Sequence, residues 1–211
     1  MRDDITFQTV VQQITDSHNA GKPLLIGYST LSSHEPWDVP LQRHDDEVLN
    51  AFAYLDDCLY DFVEMMRQSP VWDSLLVVIT ADHGINYQQT DQSMPMAKNH
   101  IPMLWLGGAV RQPRTIDVVC NQSDLAATLL GQLQLSHDDF SFSRDVLSST
   151  YTYPTAVHNY NNAQWLIDST SHILYDFTAQ RFIVDQSTDK ERLLRVSKAI
   201  LQRTTHDLKN R

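Results

Sequence analysis

The spacing of apolar residues predicts a long helix over residues 45–68. Six apolar side chains recur there in steps of three and four: Val48, Phe52, Leu55, Leu59, Phe62 and Met66. Asp45 or Asp46 can cap the start of this helix with a side-chain oxygen. Ser69 and Pro70 end it, because the residue before a proline is disfavoured in the helical conformation.

The same spacing predicts three further helices. Residues 5–18 carry apolar side chains on one face, and a serine at position 123 begins a helix that runs to residue 133. Thr188 and Glu191 form a capping box, which starts a last helix that reaches about residue 205.

Continuous apolar runs predict strands between these helices. They are PLLIGYSTL (23–31), LLVVIT (75–80), IPMLWLG (101–107) and a short run, IDVVC (116–120). Strands that are apolar throughout and alternate with helices are typical of a mainly parallel sheet covered on both faces. Ligands bind such sheets beyond the carboxyl ends of the strands, so the residues that follow each strand are the candidates for chemistry.

After residue 150 the pattern changes to short alternating runs separated by turn residues, which predicts an antiparallel meander. The predicted fold is therefore an α/β core over residues 1–150, followed by a meander and a terminal helix over residues 151–211. Both segments are expected to belong to one domain.

Composition limits the classes of function. The 211 residues are 42% hydrophobic, which suits one large globular domain, and no apolar run is long enough to span a membrane. The formal net charge of −10 argues against passive binding to nucleic acid or to anionic membranes. Cys58 and Cys120 lie far apart and are interpreted as buried small apolar residues without a disulfide.

Polar residues that can carry chemistry follow or precede three of the strands. Asp82 and His83 follow the strand at 75–80, His34 follows the strand at 23–31, and His100 precedes the strand at 101–107. A carboxylate and an imidazole are good ligands for Zn²⁺ or Mn²⁺, and Gly84 allows a turn that would let adjacent residues reach one ion.

Each of these residues also has a structural interpretation. An Asp after a strand is often a turn residue or a helix cap. His34 can lie in a loop held by side-chain hydrogen bonds, and His100 can be an ordinary polar residue before a strand. Asp56 and Asp57 lie inside the 45–68 helix, where a structural role is expected.

The motifs taken together resemble a known family. The order STLSSHEPWDVP, AFAYLDDCLYDFVEMMRQSPVWDSLLVVITADHG and NHIPMLWLGG is similar to the sulfatase-type branch of the alkaline phosphatase superfamily. Within it, the motifs most resemble lipoteichoic-acid synthase-like phosphoglycerol or phosphoethanolamine transferases. The resemblance covers roughly residues 20–135 and implies an alkaline phosphatase-like α/β/α sandwich.

The resemblance implies roles for four residues. Asp82 and His83 would be ligands of one divalent ion, Mn²⁺, Zn²⁺ or Ca²⁺. His34 and His100 would contact the oxygens of a phosphate or sulfate ester, or protonate the leaving group. The substrate would be a lipid head group or an envelope polymer at the extracytoplasmic face of the bacterial inner membrane.

The sequence also departs from that family. The family's first acidic ligand and its Thr or Ser nucleophile lie well before the Ser-Ser-His loop, and no residue here matches them. We therefore expect a C-terminal portion of a larger enzyme, whose N-terminal half and membrane segment lie elsewhere, and little turnover by this chain alone. The alternative is a truncated, non-catalytic relative that acts as a binding or structural domain.

Overall fold

The computed structural model describes residues 2–85, 87 and 98–210, which fall into two compact units. The first unit comprises Met1–Asp82 and Ile101–Pro113, and the second comprises His83–His100 and Arg114–Arg211. The boundary expected at residue 150 marks the point where the pattern of elements along the sequence changes. The two units are defined by contacts instead, so that boundary stays a prediction.

Two helices form the core of the first unit. Helix α1 spans Asp3–Asn19 and helix α2 spans Glu47–Arg67, which confirms both predicted helices. Asp46 is the N-cap of α2, because its side chain accepts hydrogen bonds from two backbone N–H groups of the first turn. The helices bury a shared apolar cluster that includes Phe7, Ile14, Tyr54, Cys58, Phe62 and Met66.

A two-stranded sheet completes the regular structure described for the first unit. Strand β1 (Val77–Thr80) and strand β2 (Met103–Leu106) confirm two of the predicted strands. They pair with each other in the antiparallel direction, so the mainly parallel sheet is not found among the described residues. An apolar run marks a strand buried on both faces, but it does not fix the direction of the neighbouring strand.

The segment predicted as a strand over residues 23–31 does not form a strand. In the described part of the chain, no backbone N–H or C=O group of residues 23–30 takes part in a hydrogen bond, and Leu25 is 88% exposed. A strand requires a neighbouring strand to satisfy these groups, and none lies beside this segment within the described residues. The prediction of a strand at 116–120 is wrong for the same reason.

The second unit is built on a four-stranded antiparallel sheet in the order β3-β4-β5-β6, which confirms the predicted meander. Its strands are β3 (Thr155–Asn159), β4 (Ala163–Asp168), β5 (His172–Asp176) and β6 (Arg181–Gln186). A short 3-10 turn at Gln122–Asp124 leads into helix α3 (Leu125–Gln132), and helix α4 (Lys190–Lys209) ends the described chain.

The predicted caps of these helices are displaced by one or two residues. Asn121 rather than Ser123 makes the capping box before α3. Asp189 rather than Thr188 caps α4, since its side chain accepts the Arg192 N–H. At both starts several neighbouring residues are able to cap, and sequence spacing does not choose among them.

Helix α4 packs its apolar face on the sheet. Leu193 and Leu194 bury against a cluster that contains Leu166, Ile173 and Tyr175. One polar contact lies inside this interface, where the fully buried Ser197 hydroxyl donates to Gln164 Oε1 over 2.6 Å.

An ion pair between a buried carboxylate and a partly exposed guanidinium joins the segment before α3 to strand β3. The Asp124 carboxylate is 1% exposed and accepts two hydrogen bonds from the Arg144 guanidinium, at 3.0 and 2.7 Å. Arg144 also donates to the backbone carbonyl and the hydroxyl of Thr155, each at 2.7 Å. Charge-assisted bidentate pairs of this kind fix the relative position of the segments that carry them.

The two cysteines are free thiols, as predicted; Cys58 is buried, whereas Cys120 is exposed rather than buried. Cys120 ends a segment that lacks the strand neighbours expected to cover it. Within the described residues, no helix has both the length and the apolar character required to cross a membrane.

Candidate functional site

His34 lies in a tight turn at the surface of the first unit. Its backbone N–H donates to the Leu31 carbonyl at 3.0 Å, and the Trp37 N–H donates to the His34 carbonyl at 3.1 Å. The Glu35–Pro36 peptide bond is cis, and Trp37 has a φ of 55°. A left-handed conformation is uncommon for a residue other than glycine, and such positions cluster at functional loops.

The orientation of the His34 ring follows from one contact. Its Nδ1 atom lies 2.9 Å from the Glu35 carbonyl oxygen, and a carbonyl only accepts hydrogen bonds. Nδ1 therefore carries the proton whether the ring is neutral or charged. Nε2 is the atom whose protonation changes, and it is the atom available to a ligand at this exposed position.

The loop that carries His34 is anchored by a buried carboxylate at the start of α1. Asp3 is 1% exposed and accepts hydrogen bonds from the Ser32 N–H at 2.7 Å and from the Leu31 N–H at 3.1 Å. The Tyr28 hydroxyl donates to the same carboxylate. Three donors from residues 28–32 thus bind the Asp3 carboxylate, which fixes this loop against the start of α1.

The pKa values of this cluster agree with an ionised Asp3. Burial raises the pKa of Asp3, but hydrogen bonds from Ser32, Tyr28 and Leu31 outweigh it, so the net shift is downward. Burial and the neighbouring carboxylate raise the pKa of Tyr28 to about 12, so its hydroxyl stays a donor near neutral pH.

The sequence pattern does not distinguish Asp3, because an acidic residue in the first turn of a helix ordinarily only complements the helix dipole. The one signal available was its position at the start of the only helix before the Ser-Ser-His loop.

Asp82 and His83 follow β1 after a gap of one residue, and both are exposed. The His83 Nδ1 atom lies 3.0 Å from the Gly84 carbonyl oxygen, which assigns the Nδ1 proton by the same reasoning as in His34. Metal-binding histidines commonly donate one ring N–H to a carbonyl or carboxylate and present the other nitrogen to the ion. The His83 ring therefore has the tautomer that a metal ligand requires.

A glycine is required at position 84 because of lack of space, whereas the sequence suggested a turn that glycine allows. Its φ lies outside the left-handed region, so conformational freedom does not explain it. A Cβ atom at this position would instead lie 2.2 Å from the Lys98 carbonyl oxygen. The chain passes so close to Lys98 that any side chain would displace the residue that follows His83.

The second unit holds the predicted residue His100 and two polar residues of strand β3, His158 and Asn159. His100 is exposed and lies three positions before β2 in sequence. Burial, and then the charge of Lys98, lower the pKa of His158, whose ring also packs edge-to-face with Tyr160 at 4.7 Å. Asn159 accepts a hydrogen bond from the Gln164 side chain at 2.6 Å, which gives it a structural role.

The four predicted site residues are divided equally between the two units. His34 and Asp82 lie in the first unit, whereas His83 and His100 lie in the second. Their convergence on one centre stays a prediction. In the part of the chain that the structure describes, no group of three or more His, Cys, Asp or Glu side chains is arranged to hold a metal ion.

Of the two acidic helix residues in the family-like motif, Asp57 has the structural contact that was expected. Asp57 makes an ion pair of 2.8 Å with Arg43 at the surface of the first unit, and Asp56 is exposed. Most of the polar stretch at 85–99 lies outside the described residues.

Comparison with solved structures shows the fold. A protein in the alkaline phosphatase superfamily from Vibrio parahaemolyticus is similar, with a TM-score of 0.76, 21% identity, and coverage of 92% of this chain and 51% of its own. The lipoteichoic acid synthase LtaP from Listeria monocytogenes has a TM-score of 0.77 at 18% identity, and the match covers 99% of this chain and 60% of LtaP. The chain thus spans about half to three fifths of the length of these structures.

These likenesses confirm the predicted fold class, an alkaline phosphatase-like α/β fold with a C-terminal antiparallel sheet and helix. The family is shown by a separate comparison, in which the model of the Sulfatase family matches residues 1–135, more than half of the chain. The chain therefore belongs to the sulfatase family.

Proposed function

We propose that this chain is the C-terminal part of a metal-dependent enzyme that cleaves a sulfate or phosphate ester. The reaction would be sulfate ester hydrolysis or the transfer of phosphoglycerol or phosphoethanolamine, with a Thr or Ser nucleophile supplied from outside these 211 residues. The substrate would be a lipid or polymer head group at the outer face of a bacterial inner membrane. Membership of the sulfatase family supports the ester chemistry, and the sequence motifs support the assignment of residues.

The observation that carries the proposal is the state of the His83 ring. Its Nδ1–H points at the Gly84 carbonyl, so Nε2 holds the lone pair that coordinates a metal. Asp82, the adjacent residue, supplies a carboxylate oxygen, and this pair of donors suits Mn²⁺ or Zn²⁺. When bound, the ion would polarise an oxygen of the ester and lower the pKa of the hydroxyl nucleophile.

His34 and His100 are assigned to the ester oxygens or to the leaving group. The Glu35 carbonyl holds the Nδ1 proton of His34 in both charge states, so protonation occurs at Nε2 alone. The protonated ring donates from a fixed direction to an oxyanion, or passes its proton to a departing oxygen. Asp3 supports this function indirectly by fixing the loop from which His34 projects.

A non-catalytic binding domain is the second candidate. It is favoured by the absence, among the described residues, of any group of three potential metal ligands. Two protein ligands leave an ion largely hydrated, so binding by this chain alone would be weak.

Manganese titration followed by NMR tests the metal assignment on the chain itself. We expect Mn²⁺ to broaden the resonances of Asp82, His83 and Gly84 with a Kd above about 100 µM, and Asp82→Asn to weaken binding at least tenfold. Asp138→Asn, at an exposed position next to Ser136, is the matched control and should leave binding unchanged. Broadening that persists in Asp82→Asn would refute the assignment, and tight stoichiometric binding would contradict the incomplete ligand set.

Activity assays separate the two candidates. The longest natural form of the protein is assayed on p-nitrophenyl phosphate, p-nitrophenyl sulfate and a phosphatidylglycerol analogue, with Mn²⁺ and with chelator. We expect turnover that requires metal and that falls at least a hundredfold in Asp82→Ala. Absence of turnover on all three substrates supports the non-catalytic alternative, whereas metal-independent turnover contradicts the proposed mechanism.

A further inference from the structure

Charge is distributed very unevenly between helix α4 and the rest of the chain. The helix holds six of the 16 Lys and Arg residues but two of the 26 Asp and Glu residues, so its formal charge is +4 while the remainder carries −14. The net charge of the whole chain therefore hides a basic segment. A basic amphipathic helix in an acidic protein indicates an anionic partner at that surface.

Two of the six basic residues are already neutralised. Arg192 pairs with Asp168 at 2.8 Å, and Lys190 pairs with Asp185 at 3.5 Å. The remaining four are exposed and make no ion pair within the described residues: Arg195, Lys198, Arg203 and Lys209. The Lys198 ammonium lies 5.7 Å from the centroid of the Tyr175 ring, so it has an aromatic neighbour but no carboxylate among the described residues.

Apolar side chains lie next to these charges on the second half of the helix. The buried contacts of α4 are made by its first half, through Leu193, Leu194 and Ser197. Beyond them Leu201 is 37% exposed and Leu208 is 76% exposed. A groove of about 380 Å³ runs beside this half, between Phe177 and a helical stripe that includes Lys198, Leu201 and Lys209.

The combination of basic and apolar groups selects the kind of partner. A soluble polyanion would neutralise the lysines but would leave Leu201 and Leu208 in water. A bilayer that contains anionic lipids satisfies both, because phosphates meet the basic side chains while leucines enter the boundary between head groups and acyl chains.

We infer that the exposed face of α4 binds the surface of an anionic lipid bilayer. Arg195, Lys198 and Lys209 contact lipid phosphates, and Leu201 and Leu208 insert beside them. These five side chains share one side of the helix, whereas Arg203 projects from the opposite side to the two leucines. The acidic remainder of the chain is repelled by the same bilayer, so binding occurs in the orientation that directs α4 toward the lipid. The inference rests on charge and exposure alone and does not depend on the proposed function.

Vesicle co-sedimentation of the 211-residue chain tests this inference. Vesicles of equal parts phosphatidylglycerol and phosphatidylcholine are compared with vesicles of phosphatidylcholine alone. We expect binding to the anionic vesicles only, and a loss of at least tenfold in affinity when NaCl rises from about 50 mM to 500 mM, since screening weakens each charge contact.

Charge reversal within and outside the helix gives the matched comparison. The triple variant Arg195→Glu, Lys198→Glu, Lys209→Glu should bind at least a hundredfold more weakly than the unaltered chain. The control carries the same change in net charge at three exposed positions elsewhere: Lys22→Glu, Arg111→Glu and Arg114→Glu. Circular dichroism verifies that both variants fold.

Removal of the apolar contact separates a bilayer from a soluble polyanion. Leu208→Ser should weaken vesicle binding about fivefold and leave retention on a heparin column unchanged, because only the bilayer offers an apolar layer. Failure to bind anionic vesicles at low salt would overturn the inference. So would an equal loss in the two triple variants, or a Leu208→Ser variant that binds vesicles as well as the unaltered chain.

Discussion

Each unit contains an aspartate that is 1% exposed, and the two are satisfied in opposite ways. Asp124 in the second unit pairs with a full positive charge on Arg144. Asp3 in the first unit accepts hydrogen bonds from neutral donors. They are the backbone N–H groups of Leu31 and Ser32 and the hydroxyl of Tyr28.

The difference shows what each carboxylate contributes. An ion pair between two side chains joins elements that are already regular, namely the turn before α3 and strand β3. A carboxylate bound by loop amides gives a fixed shape to a segment that lacks strand partners, and the loop in question carries His34. The two carboxylates are equally buried. The type of hydrogen-bond partner therefore distinguishes the contact that joins regular elements from the one that positions the His34 loop.

The largest effect is expected from Asp124→Ala. The change leaves the Arg144 guanidinium without its carboxylate and removes an acceptor from the Asn121 N–H, so the free energy of unfolding should fall by about 3 kcal/mol. Urea unfolding followed by circular dichroism measures the loss. Asp185→Ala, at an exposed pair with Lys190, is the control and should lower the free energy of unfolding far less, because solvent screens this pair. Equal losses in the two variants would contradict the importance assigned to burial.

Asp3→Asn should have a smaller effect on stability but a larger one on the His34 loop. The amide group presents an N–H toward backbone donors, so about 2 kcal/mol of stability should be lost. Hydrogen exchange should show the Ser32 amide opening at least tenfold more often, whereas amides of β4 stay protected. Uniform acceleration across both units would mean that Asp3 stabilises the chain generally and does not position this loop.

The free energy of unfolding should depend on pH differently in the unaltered chain and in Asp3→Asn. The pKa of Asp3 is lower in the folded state than in the unfolded state, so its ionised form stabilises the fold above the unfolded value of about 3.9. That contribution is lost as the pH falls through the folded pKa. The stability difference between the two proteins should therefore be constant from about pH 7 to 5 and shrink below about pH 4. A difference that persists unchanged at pH 2 would contradict an ionised Asp3.

Ser197→Ala tests a neutral buried contact in the second unit. The Gln164 side chain loses a donor at 2.6 Å in an interface that excludes water, which should cost about 1 kcal/mol. The measurement is again urea unfolding, and Ser187→Ala, in the segment between β6 and α4, is the matched serine control. No loss in Ser197→Ala would show that Gln164 finds another partner.

The smallest effect is expected at the surface of the first unit. Arg43 and Asp57 form an ion pair of 2.8 Å, but their side chains are 55% and 41% exposed. Arg43→Ala should change the free energy of unfolding by less than about 0.5 kcal/mol, since solvent screens exposed pairs. A loss above about 1 kcal/mol would mean that this exposed ion pair stabilises the fold as much as the buried polar contacts do.

Helices and strands were predicted correctly where the spacing of apolar residues alone determines them. The apolar steps of α2 and the alternation of the C-terminal meander each identify an element whose pattern is complete within its own residues. The motif residues Asp82, His83 and Gly84 also identified the family, because their order along the chain is specific.

Other features depend on distant neighbours and were not predicted. Residues 23–31 and 116–120 have the apolar content of strands, but strand formation requires a partner that the described residues do not provide. The role of Asp3 depends on amides 28 and 29 positions away, and no spacing rule encodes such a contact. Gly84 was predicted only to allow a turn, whereas the structure requires a glycine there because the Lys98 carbonyl lies beside it.

The anchoring of the Ser-Ser-His turn by Asp3 also bears on the order in which the chain folds. The hydrogen bond from Ser32 closes a loop of 29 residues. The entropy of closing that loop is compensated only when α1 has already placed its first turn beside the returning chain. We expect the His34 turn to form late, after the helices have met, so its geometry reports whether the whole first unit has assembled.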